Sequence, residues 1–140
     1  MKQLVWMFAF AWLLQPAGAM ERGTTEQGRP FVSGGVGAEE MAALNNERSQ
    51  YSLAILAAAK GSGAFLGDVH IRITDGQSNR VLDTVMDGPW LFVDVPAGRY
   101  QVEADLDARL QKSVVTIRSG DHRQTIFYFD THDKVEASPP

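Results

Sequence analysis

From Phe65 onward apolar and polar residues alternate with a period of two, and short runs of Gly, Pro, Asp, Asn or Ser interrupt the alternation. A period of two is that of a strand with one face buried, and interruptions at roughly 8 to 12 residues are the interval of an all-β sandwich or barrel. Val69, Ile71 and Ile73 share one face, with Asp68, His70 and Arg72 on the other, and residues 75–79 form a turn. Strands are predicted at 80–86, ended by Asp87, Gly88 and Pro89, and at 90–95, ended by Pro96, Ala97 and Gly98. Residues 99–105 alternate Tyr100, Val102 and Ala104 against Gln101, Glu103 and Asp105, and the chain turns at Asp107 and Ala108 and returns over 110–118. After Ser119, Gly120 and Asp121 the last strand, 123–129, opposes Ile126 and Tyr128 to Phe127 and Phe129. The face expected inside holds Val69, Ile71, Ile73, Leu91, Val93, Tyr100, Val102, Val115 and Ile117, each contributing roughly 1.5 to 3 kcal/mol when fully buried.

Upstream the pattern weakens. Residues 20–37 are mostly Gly, Thr, Ser, Gln and Arg with Phe31 and Val32 isolated, which reads as a flexible lead. Residues 38–50 carry helix formers, Glu39 and Glu40 in the first turn and a stripe of Met41, Leu44 and Arg48, predicting one short helix. Residues 51–59 satisfy both a continued helix, through their alanines, and a strand, through Tyr51, Leu53, Ile55 and Ala57; the strand is taken. No helical period separates the later strands, so the expected fold is all-β: a seven-stranded antiparallel β-sandwich over 51–130, preceded by the helix and followed by a polar tail, 131–140, expected to be disordered.

Lys2, the apolar run 4–14 and the Ala17-Gly18-Ala19 exit read as a secretory signal peptide cleaved after Ala19. The apolar run falls short of the roughly 20 residues that span a bilayer, so no stable membrane insertion is expected after cleavage. Cleavage removes one of 13 basic residues and none of 17 acidic ones, giving 12 − 17, a net charge of −5. A chain this acidic, without a basic cluster, is a poor partner for nucleic acid or anionic lipid. The absence of cysteine excludes disulfides, thiolate chemistry and a lipid-modified amino terminus, leaving a periplasmic protein as the expectation.

Val95, Pro96, Ala97, Gly98, Arg99 and Tyr100, followed by Gln101, Val102 and Glu103, resemble the P-x-G-x-Y turn and strand of carboxypeptidase regulatory-like domains. The resemblance covers about 65–129 and implies a prealbumin-like β-sandwich. Residues 33–51 and the turn 87–90 resemble small exported proteobacterial proteins of the same type. Domains of this kind act mostly as accessory, adhesive or folding modules without shared catalytic residues. A related enzyme branch, the hydroxyisourate hydrolases, ends in Tyr-Arg-Gly-Ser; this chain ends in Ala137, Ser138, Pro139 and Pro140, so that activity is not implied.

Candidate chemistry is sparse. His122 and His132 flank the last predicted strand, roughly 25 to 30 Å apart if both extend from it, too far for one metal ion. His70, the carboxylates Asp105 and Asp107, and the glycine-rich Ser33 to Gly37 stretch without a following lysine all read as solvated or conformational residues. No catalytic residue, metal or cofactor is expected, and the chain reads as a non-enzyme. Trp90, after Gly88 and Pro89, is the binding candidate, together with Tyr100 or Tyr128; its alternative role is to cover one end of the core. The expected function is a periplasmic accessory or protein-interaction module whose partner is an envelope protein, or alternatively a carbohydrate-binding module for an envelope glycan.

Overall fold

The structure, a computed structural model, describes residues 20–131. The signal peptide expected over 1–19, most of the tail expected over 131–140, and His132 lie outside the described residues.

The described chain is all-β with one short helix. In order it forms β1 (Glu21–Thr24), β2 (Pro30–Gly34), α1 (Gly37–Glu47) continued by a 3-10 turn (Arg48–Gln50), β3 (Leu53–Ala59), β4 (His70–Asp75), β5 (Arg80–Val85), β6 (Trp90–Val93), β7 (Gly98–Leu106), β8 (Arg109–Ile117) and β9 (Arg123–Phe129). One sheet runs β1-β2-β6-β3-β9, the other β5-β4-β7-β8. Side chains of both sheets meet in one core, including Phe31, Leu53, Ile55, Leu91 and Phe129 from the first and Ile71, Ile73, Tyr100, Val102 and Ile117 from the second.

Three expectations are corrected. Residues 20–37 are not a flexible lead but contain β1 and β2, whose turn is closed by Thr25 Oγ1 accepting from the Gln27 and Arg29 amides at 3.2 Å. Phe31 and Val32 are successive, so they point to opposite faces; Phe31 enters the core between the sheets and Val32 packs under α1. A strand covered on both sides leaves no alternation to read. There are nine strands among the described residues rather than seven, the added pair being β1 and β2. Finally, the first sheet is not wholly antiparallel, because β9 pairs with β3 in parallel from Leu53↔Arg123 to Ala59↔Phe129.

The ambiguous segment 51–59 contains strand β3, and all seven of its residues are buried. Its inner side, Leu53, Ile55 and Ala57, joins the shared core, while Ala54 lies in a second cluster with Val32, Leu44, Tyr51 and Phe92 beneath α1. Side-chain hydrogen bonds fix both ends of the neighbouring β6. Ser33, fully buried, donates through Oγ to the Trp90 carbonyl at 3.2 Å and accepts from the Asp87 amide at 2.8 Å. Ser52 Oγ accepts from the Val95 amide and donates to its carbonyl, at 2.8 and 2.9 Å. The Tyr100 ring points inward and its hydroxyl donates to the Pro96 carbonyl at 2.6 Å, tying down the turn that leads into β7. Gly88 admits no side chain, since a Cβ there would stand 2.5 Å from the Gly34 carbonyl oxygen, a backbone atom.

These contacts set measurable costs. Ser33→Ala leaves the Asp87 amide without its acceptor and is expected to cost about 1 to 3 kcal/mol, while Tyr100→Phe costs about 1 kcal/mol. Gly88→Ala should exceed both, because two backbones must separate. Urea unfolding of the three variants checks the order, and a Gly88→Ala protein as stable as wild type would contradict the packing described.

Candidate interaction surface

Residues paired across a ladder project to the same face, so the registers define the outer surface of the five-stranded sheet. One row runs Val32, Phe92, Ala54, Gln124, and the next Gly34, Trp90, Leu56, Ile126. A third is completed where Phe65 forms an isolated bridge with Ala58, which pairs on its other side with Tyr128.

Helix α1 covers only the first part of this surface. Leu44 is fully buried on Val32, Ala54 and Phe92, and the helix end is held by Arg22 and Glu47, which make two contacts of 2.8 Å. That hydrogen-bonded pair keeps the Glu47 carboxyl below its ordinary range. The Arg48 guanidinium lies 5.3 Å above the Phe92 ring and donates to the carbonyls of Tyr51 and Arg123, so it sews the 3-10 turn to β9. Gly35, with φ +100°, allows the close approach at the helix entry: a Cβ there would lie 2.8 Å from Trp90 Cδ1.

Beyond the helix the face is apolar and open. Leu56 and Ala58 are buried by their neighbours, but Ile126 is 37% exposed, Tyr128 50% and Phe65 59%. Trp90 sits at the border between the covered and open parts, half-buried and edge-on to Phe92 at 5.8 Å and 71°. Its Nε1 is buried without a hydrogen-bond partner among the described residues. Of the residues singled out from sequence, Trp90 and Tyr128 therefore share one outward face with Leu56 and Ala58 between them. Tyr100 does not join them, being 3% exposed in the core between the sheets. Phe65 was missed because it precedes the first face read from the alternation, that of Val69, Ile71 and Ile73; the available signal was a large apolar residue directly after the turn containing Gly61 and Gly63.

The outer face of the other sheet has a different chemistry. Asp83 meets the His70 Nε2, Arg72 Nε at 3.3 Å and Arg80 Nε at 3.9 Å, while Glu103 meets Arg72 and Lys112 at 3.8 and 3.6 Å. Val85, Leu110 and Val114 stand exposed on its strands, but His70, Asp105 and Lys112 interrupt them. Acids and bases face one another in a self-neutralising lattice around a shallow depression of about 120 Å³ lined by His70, Arg72, Glu103, Asp105 and Leu110. His122 is elsewhere, in a polar cleft of about 280 Å³ at the end of the fold, with Nδ1 against the Tyr51 carbonyl at 2.9 Å. Among the described residues no group of three His, Cys, Asp or Glu is placed to hold a metal ion, and no helix is long and apolar enough to cross a membrane.

Comparison of the chain with protein-family models and with curated proteins finds no match.

The His70 hydrogen bond, seconded by Arg72, holds the Asp83 carboxyl below its ordinary range despite some desolvation. A carboxylate depressed on folding stabilises the fold above its unfolded pKa of about 3.9, and that contribution disappears as pH falls through the folded value. Thermal stability should therefore drop on acidification below about pH 4, with a shallower drop in Asp83→Asn. Parallel wild-type and variant melting curves across that window would contradict the assignment.

Proposed function

We propose that this chain is a non-enzymatic accessory module, exported by its leader to the periplasm, that works by binding another protein through the open half of its five-stranded sheet. The observation that carries this reading is the apolar strip of Phe65, Ile126 and Tyr128 beside Trp90, outward-facing and left bare by α1. Contiguous apolar surface with aromatic residues at its rim is the composition of protein-binding patches, whereas apolar residues scattered among charges are ordinary surface. The floor is shaped for contact: Ala58 is small, and Phe65 and Tyr128 rise on either side of it.

The fold reading that goes with this function is a prealbumin-like β-sandwich of the carboxypeptidase regulatory-like kind. Two sheets around one core support it, as does the Tyr100 hydroxyl on the Pro96 carbonyl within the P-x-G-x-Y turn. The glycan alternative keeps one favourable observation, that Trp90 and Tyr128 share a face. Against it, Trp90 stands edge-on to Phe92 and close under the Gly35 backbone rather than offering a flat ring, and Tyr100 is enclosed. Stacking on sugars needs the ring face free.

The test compares the protein beginning at Met20 with its Phe65→Ser/Tyr128→Ser variant in quantitative capture and crosslinking from envelope extract. Loss of two aromatic anchors at about 1 to 2 kcal/mol each should cut partner recovery at least about tenfold, with folding stability nearly unchanged because both positions are exposed. Undiminished recovery, or glycan binding that disappears in Trp90→Ala, would overturn the protein-binding reading.

A further inference from the structure

The polar cleft beside His122, about 280 Å³ in volume, lies where β3 begins, whereas the apolar strip lies where β3 ends. Four connections meet there: the β1–β2 turn at Arg29, the 3-10 turn into β3, the β6–β7 turn and the β8–β9 turn. Loops carried on a rigid scaffold are common places for binding groups.

The walls are braced before anything binds. Ser52 Oγ spans the Val95 amide and carbonyl, and the Ser52 carbonyl accepts from the Arg123 amide at 2.8 Å. Arg29 Nη1 donates to Asp94 Oδ2 at 2.9 Å, and the Asp94 amide donates to the Pro30 carbonyl at 3.0 Å. In the β8–β9 turn Asp121 Oδ2 accepts from the Arg118 amide, and the Asp121 amide donates to the Arg118 carbonyl, both at 3.0 Å. A cleft held in this way has little freedom to lose on binding.

The groups left over define the ligand. Ser49, Gln50 and Ser119 are exposed in the lining, and their side chains make no hydrogen bond among the described residues. Asp94 and Asp121 spend Oδ2 on the contacts above, which leaves Oδ1 of each to accept. His122 Nδ1 faces a carbonyl and so carries the proton, and in the neutral ring Nε2 keeps its lone pair. The charges of the lining balance, Arg29 and Arg118 against Asp94 and Asp121. An anion would meet two carboxylates and a cation two guanidinium groups, but a neutral molecule dense in hydroxyls can use the donors and the acceptors together, because each hydroxyl is both. Pro96 and Ala97 add carbon surface for the C–H face of a ring. The volume, near the lower end of small-molecule sites, suits a ligand of about one ring.

We propose that this cleft binds a neutral sugar ring. Its hydroxyls donate to Asp94 Oδ1, Asp121 Oδ1 and His122 Nε2 and accept from Arg118, Gln50 and Ser119. The site is separate from the protein-binding face, so either can stand without the other.

The test titrates nitrogen-labelled protein beginning at Met20 with glucose, galactose, mannose and N-acetylglucosamine, each free and as its methyl glycoside, and follows the backbone amides by NMR. At least one should shift Gln50, Ser119 and His122 and saturate with a Kd of about 1 mM. Gln50→Ala/Ser119→Ala, both exposed, should weaken that binding at least about tenfold through two lost hydrogen bonds. Binding that includes the methyl glycosides supports recognition of a glycan's terminal ring, and binding of the free sugars alone supports recognition of the monosaccharide. Phe65→Ser/Tyr128→Ser and Trp90→Ala should bind as wild type does. No saturable shift with any of these sugars, shifts confined to Trp90 and Tyr128, equal binding by Gln50→Ala/Ser119→Ala, or tighter binding of inorganic phosphate would each overturn the proposal while leaving the protein-binding reading intact.

Discussion

Strand β3 has to bury both of its faces along its whole length, and the rest of the molecule is arranged around that requirement. Seven consecutive residues without one polar side chain cannot lie at a surface. The inner side is covered by the four-stranded sheet, the outer side in part by α1, and the two backbone edges by β6 and β9. After β6 the chain crosses again to the second sheet through β7 and β8, and β9 then comes back beside β3 running in the same direction, so the parallel pair is closed through the other sheet instead of through a helix. The lead supplies the remaining cover: β1 and β2 extend the sheet sideways until it is broad enough to seat α1.

The alanines of β3 have consequences on the outer face. Ala54 lets Leu44 descend between Val32 and Phe92, and the aromatic contact of Tyr51 with Phe92 at 5.9 Å fills the space beside it. Farther along, where the helix no longer reaches, the same economy of volume makes Ala58 a low floor between Phe65 and Tyr128. A larger residue at that position would fill the depression, and a polar one would make it ordinary surface. One compositional bias thus serves packing at one end of the strand and an open apolar surface at the other.

What could be read from sequence follows from how each strand is covered. The second sheet was legible because its outer face is wet: Ile71 and Ile73 in β4, and Tyr100, Val102 and Ala104 in β7, alternate with charged or polar partners. The period survives wherever one face meets water. It vanished in β2, where Gly and Ser suggested a loose lead, and it was blurred in β3, where the alternation of Tyr51, Leu53, Ile55 and Ala57 pointed to the strand that forms while the alanines suited a helix equally well. Parallel pairing left no local mark at all, since it is fixed by the route between elements. Of the site, Trp90 and Tyr128 were visible as aromatics at element positions with outward potential, but that Tyr100 points inward follows from its belonging to the buried set of β7, and Phe65 acquires meaning only through its bridge to Ala58.

The outer faces of the two sheets divide electrostatic work in a way that bears on association. On the outer face of the four-stranded sheet Asp83 and Glu103 each already meet a cation, so this pair of clusters presents little net field to a charged partner. The open half of the other sheet presents Phe65, Ile126 and Tyr128, whose attraction for a partner comes from removing apolar area from water and is non-directional, so it cannot by itself fix a partner's register.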